Sequence, residues 1–219
     1  MLVIILSIIF FSFSFSSENY NIELVQNIEV NTFNSNSNFG VSDVWGYTDE
    51  TGVEYAIVGY RNGTFIYNVS TNPQNPVLVS DIDGPSNSDY YYHRDYKTYG
   101  DYLYIVNEMT GSDVGMQVID LSPLPDNSPV QLDTYTGINQ SHNLWIDSDI
   151  GYAFIEHQYP NNIQIVDVSS DSNPQYVGTF GIQGDACHDI FTRDGIAYIS
   201  EGWNSRYGIY DISDINNII

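Results

Sequence analysis

Basic residues are nearly missing from this sequence. It has five Lys and Arg against 28 Asp and Glu among 219 residues, a formal net charge of −23. A chain so acidic repels phosphate backbones and anionic lipid, which excludes nucleic acid and acidic membrane surfaces as partners. Cysteine occurs once, at Cys187, so no intrachain disulfide can form. Apolar residues at helical spacing are missing as well, which argues against amphipathic helices. Beyond the first 17 residues no apolar run is long enough to span a bilayer. The acidity reads first as solubility and second as calcium binding by acidic loops. Asp81-Ile82-Asp83 and Asp147-Ser148-Asp149 lack the remaining positions of a calcium loop.

What is present is rich in strand formers. The chain is 42% hydrophobic and 15% aromatic, with 19 Tyr, a composition that suits pleated, half-buried surfaces. Its opening, MLVIILSIIFFSFSFSS, is apolar and ends in small residues. This reads as a signal peptide over 1–17, cleaved near Ser16 or Ser17, with an exported domain over 18–219. No Lys or Arg precedes the run, so an uncleaved anchor is the alternative.

The chain is organised by a repeat. GTFIYNVSTNPQNPVLVSDI, GMQVIDLSPLPDNSPVQLDTY, NIQIVDVSSDSNPQYVGTF and YGIYDISDINN each carry an alternating apolar strand, Asp or Asn, an apolar residue, then Ser. The anchors Asn68, Asp120, Asp167 and Asp211 lie 52, 47 and 44 residues apart. Upstream of each anchor is a second shared unit, seen in HRDYKTYGDYLYIVNE, SHNLWIDSDIGYAFIEH and CHDIFTRDGIAYISEG. Each repeat therefore holds four short strands, over about 40–83, 92–136, 141–181 and 187–214. Four strands in a period in the forties predict an all-β β-propeller of four-stranded blades. The Pro-bearing turn before strand four marks that strand as the outer edge. The fourth repeat lacks its last strand, and residues 22–30 (IELVQNIEV) read as a lone strand that completes it. Two architectures follow: a closed four-bladed ring, or a chain truncated from a larger one.

The stretches SDVWGYTDETGVEYAIVGYRNGTFIYNVSTNPQNPVLV, HRDYKTYGDYLYIVNE, GMQVIDLS, SHNLWIDSDIGYAF and CHDIF resemble the LVIVP-repeat β-propellers of the choice-of-anchor B family. The resemblance runs from about Ser42 to Asp214. It implies an exported, surface-associated propeller, secreted or held at the cell surface. Members are usually longer and carry C-terminal anchors. The family brings no reaction and no catalytic residues to transfer.

Functional residues must then come from topology. Strands one and two of a blade form a hairpin, so the start of the first lies beside the end of the second at one rim. That rim collects Ser42 and Asp43 from blade one. Blade two adds His93, Arg94 and Asp95 with Asn107 and Glu108. Blade three adds His142 and Asn143 with Glu156 and His157, and blade four adds His188 and Asp189 with Glu201. All four histidines of the chain fall in this set. Three readings stand. The side chains cap turn amides; or His142, His157, His188 and Glu201 hold a divalent metal, Zn or Mn, with Ca the choice if carboxylates dominate; or a His and carboxylate pair performs hydrolysis. Cys187 and His188 are adjacent on a strand and point to opposite faces, so Cys187 reads as a small buried hydrophobe. The function expected is a binding module for a polysaccharide, peptide or surface protein at the channel-side rim. A metal-dependent hydrolase at the same rim is the alternative. The aromatic run Asp89–Tyr92 beside His93 is a further candidate binding face.

Overall fold

The computed structural model describes residues 22–30, 40–85, 93–109, 111, 114–158, 161–170, 173–181, 187–202 and 206–219. The signal peptide over 1–17 and the aromatic run 89–92 lie outside them. Every described element is a strand. The first sheet holds β1 (Val41–Thr48), β2 (Glu54–Tyr60), β3 (Gly63–Asn68) and β4 (Val77–Asp83). The second holds β5 (Arg94–Tyr99), β6 (Tyr102–Asn107), β7 (Met116–Asp120) and β8 (Val130–Tyr135). The third holds β9 (Leu144–Asp147), β10 (Tyr152–Gln158), β11 (Asn161–Asp167) and β12 (Gln175–Phe180). The fourth holds β13 (Asp189–Arg193), β14 (Ile196–Glu201) and β15 (Arg206–Asp211). Each sheet is an antiparallel meander in chain order.

The anchors of the repeat turn out to be turn caps. Asp120 Oδ1 accepts the Ser122 amide, Asp167 Oδ1 the Ser169 amide and Asp211 Oδ1 the Ser213 amide, at 2.8–3.0 Å. The apolar residue between them donates its own amide to the β1–β2-type turn, as Leu121 does to Asp101, Val168 to Gly151 and Ile212 to Gly195. The Asp–apolar–Ser signature therefore recurs because the same turn recurs.

Side chains of successive strands interleave between sheets. Tyr55, Ile57 and Ile66 meet Tyr96, Leu103 and Ile119 in one cluster. Tyr104, Val106 and Met116 meet Leu144, Ala153 and Val166 in a second. Phe154, Ile163 and Ile165 meet Ile190, Ala197 and Ile199 in a third. Full burial of such side chains stabilises by roughly 1.5–3 kcal/mol each, whereas exposed ion pairs give about 0–1. The sheets are accordingly joined by apolar contact. Polar staples fix the register of the joints: Trp45 Nε1 donates to Thr98 Oγ1 and Trp145 Nε1 to Thr192 Oγ1, both at 3.0 Å.

The first strands are neighbours in space: β5 packs against β1 and β9, and β9 against β13. The outward faces of the first and fourth sheets are uncovered by described residues. Val44 is 62% exposed, although Tyr96 and Leu144 at the same place in the next two sheets are fully buried. Tyr207 and Ile209 on the fourth sheet are 66% and 62% exposed.

Residues 22–30 correct one expectation. They form no strand and do not pair with β15. Gln26 Nε2 instead donates to the Gln74 carbonyl in the β3–β4 turn, and Ile22, Leu24 and Val25 stay exposed. Beside Asp211 the neighbour is Ile219, through reciprocal backbone bonds of 2.8 and 3.2 Å. That is the position Val77, Val130 and Gln175 take opposite Asn68, Asp120 and Asp167.

Candidate functional site

The hairpin geometry brings the starts of β5, β9 and β13 beside the ends of β6, β10 and β14. Arg94 pairs with Asn107, the Glu156 amide donates to the Asn143 carbonyl, and the His188 amide donates to the Ser200 carbonyl. Period-two alternation then sorts the side chains. Asp43, Asp95, Asn143 and Asp189, with Trp45, Lys97, Trp145 and Phe191 two residues further on, line one cavity of about 380 Å3. All four first strands contribute to its wall.

The polar ring of this cavity is interlinked. Asp95 Oδ1 accepts the Tyr96 amide at 2.8 Å and Lys97 Nζ at 2.9 Å, and its Oδ2 accepts the Leu144 amide of the next sheet at 2.7 Å. The Asp43 carboxyl is pushed up to about 6, first by burial and then by its hydrogen bond to Asp95. Asp189 Oδ1 accepts the Ile190 amide at 2.8 Å and Asp189 is exposed. Asn143 Oδ1 is buried with no hydrogen-bond partner. Lys97 Nζ lies 4.6 Å above the Trp45 ring, while the Trp145 and Phe191 rings sit 4.8 Å apart at 59°.

Three of the four histidines meet above this ring. The His142 ring lies 5.7 Å from that of His93 and 4.8 Å from that of His188, centroid to centroid. Two buried carboxylates hold the middle one. His142 Nδ1 lies 2.9 Å from Glu108 Oε1, and the His142 amide donates to Glu156 Oε2 at 2.7 Å. The Glu108 contact raises the His142 imidazole above its ordinary value, against the opposing effect of burial. Burial pushes the Glu156 carboxyl up to about 7.

Other expected members of the rim go elsewhere. Arg94 is buried, and its guanidinium donates to the carbonyls of Arg61 at 3.3 Å and Pro85 at 2.9 Å, in the joint with the first sheet. Alternation places it on the face of Tyr96, opposite to Asp95. Glu201 is turned from His188: its Oε2 accepts Arg206 Nε at 2.8 Å and its Oε1 the Tyr210 hydroxyl at 3.2 Å. His157 pairs through its backbone with Asn162, and its side chain lies outside the described residues. Glu201 therefore spends both carboxylate oxygens on Arg206 and Tyr210 rather than on a position beside His188. Among the described residues no group of three or more His, Cys, Asp or Glu side chains is placed to hold a metal ion. Cys187 is 4% exposed within the third apolar cluster, and burial pushes its thiol up to about 11, followed by the charges of Glu156 and Glu201.

No family model and no curated protein matches this chain. Among solved structures, a thermostable family-43 glycoside hydrolase is similar at 15% identity and a TM-score of 0.35, over 78% of this chain and 67% of that one. No helix among the described residues is long and apolar enough to cross a membrane.

Proposed function

We infer that the chain is an exported β-propeller of the choice-of-anchor B kind, a binding module whose ligand enters the channel mouth between the first strands. One observation carries this reading. Four equivalent strand starts surround a cavity of about 380 Å3 whose polar ring leaves the buried Asn143 Oδ1 without a donor. The volume falls within the roughly 300–1,000 Å3 of small-molecule sites. A buried acceptor left unsatisfied costs about 1–3 kcal/mol, so a ligand supplying N–H or O–H groups gains by filling it. Exposed Asp189 offers further acceptor oxygen, and Trp145 with Phe191 offers apolar ring surface beside it. Lys97 already covers the Trp45 ring, so the third and fourth sheets carry the contact. Hydroxyl donors together with an apolar C–H face describe a saccharide, which stacks on aromatic rings while its hydroxyls reach acceptors.

Glycan-array screening of the purified chain, followed by calorimetry on the best binder, tests this reading. Trp145→Ala and Asp189→Asn are expected to weaken that binding at least about tenfold, the ~1.4 kcal/mol equivalent of one good contact. A blank array, or binding unaltered by both substitutions, overturns it.

A further inference from the structure

We propose that the uncovered faces of the first and fourth sheets are the two halves of one joint, and that a second copy of the chain supplies the missing half of each. The fourth sheet of each copy then packs on the first sheet of the other. This does not depend on what fills the cavity.

Strand register identifies what each open face presents. Phe191 opposite Tyr198, and Tyr198 opposite Ile209, repeat Trp145 opposite Phe154 and Phe154 opposite Ile165. Phe154 and Ile165 are buried in the apolar cluster that the third sheet shares with the fourth. Phe191 and Ile209 are exposed, as is Tyr207 beside them. The fourth sheet thus carries outward the kind of face that the third sheet buries. At the other end, Val44 opposite Val58 repeats Tyr96 opposite Ile105 and Leu144 opposite Ile155. Those four are buried against the preceding sheet, whereas Val44 is exposed and Val58 half-buried. The two ends of one chain are therefore not joined to each other. Covering both takes one further face of each kind, and a second copy carries one of each.

Two polar positions of the observed joints carry over to the open ends. In two joints a Trp Nε1 donates to a Thr Oγ1, from Trp45 to Thr98 and from Trp145 to Thr192. By register the corresponding residues at the open ends are Phe191 and Gly46. Phe191 has no N–H to donate and Gly46 no hydroxyl to receive one. Nothing lies within 4 Å of where a side chain on Gly46 would begin, which leaves room for a ring. One position further along the first joint, the Tyr47 hydroxyl donates to Asp101 Oδ1 at 2.8 Å. The corresponding residues at the open ends are Arg193 and Glu54, both exposed. Glu54 takes the place of Asp101 because each precedes the second strand of its sheet and accepts the equivalent amide, from Val69 and Leu121. Opposite charges thus meet where the first joint has a hydroxyl on a carboxylate. Arg193 Nε does touch Asp194 Oδ2 at 3.3 Å, a largely exposed pair of little strength that leaves the guanidinium able to engage Glu54. Complementary charge of this kind fixes register and rejects wrong pairings.

Two such joints close a twofold ring, so no end face remains to propagate a filament. The closed pair holds eight sheets, within the roughly 4–8 blades typical of propellers.

The test is sedimentation equilibrium of the full chain, in salt sufficient to screen its net charge of −23. A species of twice the chain mass is expected. Val44→Lys, and separately Tyr207→Lys combined with Ile209→Lys, each place ammonium groups at exposed positions of one end. Both proteins are expected to keep the circular dichroism of the wild type and to sediment as monomers. Mixed together, they are expected to form dimer again, because each retains the end face that the other has lost. Arg193→Glu is expected to weaken dimerisation at least about tenfold, and adding Glu54→Arg to recover most of that loss. A wild-type monomer at every concentration reached overturns the proposal. So does a lysine variant that dimerises as tightly as the wild type, or a mixture no more dimeric than its components, since each describes an interface other than the fourth sheet on the first.

Discussion

Asp95 Oδ2 accepts the backbone amide of Leu144 at 2.7 Å, across the joint between the second and third sheets. The same carboxylate also accepts the Tyr96 amide and Lys97 Nζ through Oδ1. Removing it takes an acceptor from two amides and from the Lys97 ammonium, which keeps only the Tyr96 carbonyl, in a mostly buried setting. Asp95→Ala is expected to destabilise the fold by about 3 kcal/mol, the range for breaking one side of a buried, charge-assisted network. Urea unfolding of the two proteins checks this. A loss under about 0.5 kcal/mol would mean that the contact carries no more than a surface interaction does.

Stability should fall as pH rises from mildly acid to neutral. The Asp43 carboxyl is raised to about 6 and the Glu156 carboxyl to about 7, each chiefly by burial. A raised acid binds its proton more tightly folded than unfolded, so the folded state holds more protons in that window and ∂ΔG/∂pH is negative. This contribution is present below the ordinary carboxylate values and is lost as pH rises through the raised ones. His142, raised chiefly by its hydrogen bond to Glu108, acts in the same direction: its contribution is full below the ordinary histidine value and fades above its raised one. Asp49 and Asp211 are held low, so their opposite effect appears only under more acid conditions. The melting temperature is expected to be higher at pH 5 than at pH 8, and Glu156→Gln should flatten the profile between them. A flat or rising wild-type profile contradicts the assignment.

Glu108 sets the protonation of His142. Histidine ring signals followed by NMR across pH 5–9 should show His142 titrating above its ordinary value, because Glu108 Oε1 sits 2.9 Å from Nδ1. In Glu108→Gln that midpoint should move down, since the neutral amide no longer stabilises the imidazolium and burial still disfavours it. An unmoved midpoint would place the cause of the shift elsewhere.

The strands, and the nearness of His93, His142 and His188, were legible in the residues because both follow from the repeat. Alternation marks each strand, and hairpin geometry puts strand starts beside strand ends. What remained hidden depends on which face a side chain takes and on what meets it from the next sheet. Arg94 shares the face of Tyr96 and so enters the joint with the first sheet; Glu201 shares the face of Ile199 and meets Arg206. Counting parity from Asp95 and from Asp189 is the signal that separates these two from the cavity wall, and the rim set drawn from hairpin geometry alone did not apply it. No pattern within one repeat could show that Asp95 caps the Leu144 amide of another sheet, or that Lys97 covers Trp45. Those contacts exist only between repeats. Residues 22–30 mislead because their alternation fits a strand while their backbone meets no ladder.

The tryptophan staples give a test of how the joints are built. Trp145 Nε1 donates to Thr192 Oγ1 at 3.0 Å, and that hydroxyl donates to Asp147 Oδ2 at 2.6 Å. Trp45 and Thr98 repeat the first of these contacts one joint earlier. Trp145→Phe removes the donor but retains a ring against Phe191, so the loss is mainly one hydrogen bond plus some buried area. About 1–2 kcal/mol is expected from those two contributions. Thr192→Val removes both links of the chain at nearly constant volume and leaves the indole N–H and the Asp147 oxygen without this partner. It should cost as much or more. The double variant tests whether the two side chains act through each other: their losses should be less than additive, with a coupling of at least about 0.5 kcal/mol. Simple additivity in urea unfolding would mean that the staple is incidental and that apolar packing alone sets the register of the joint.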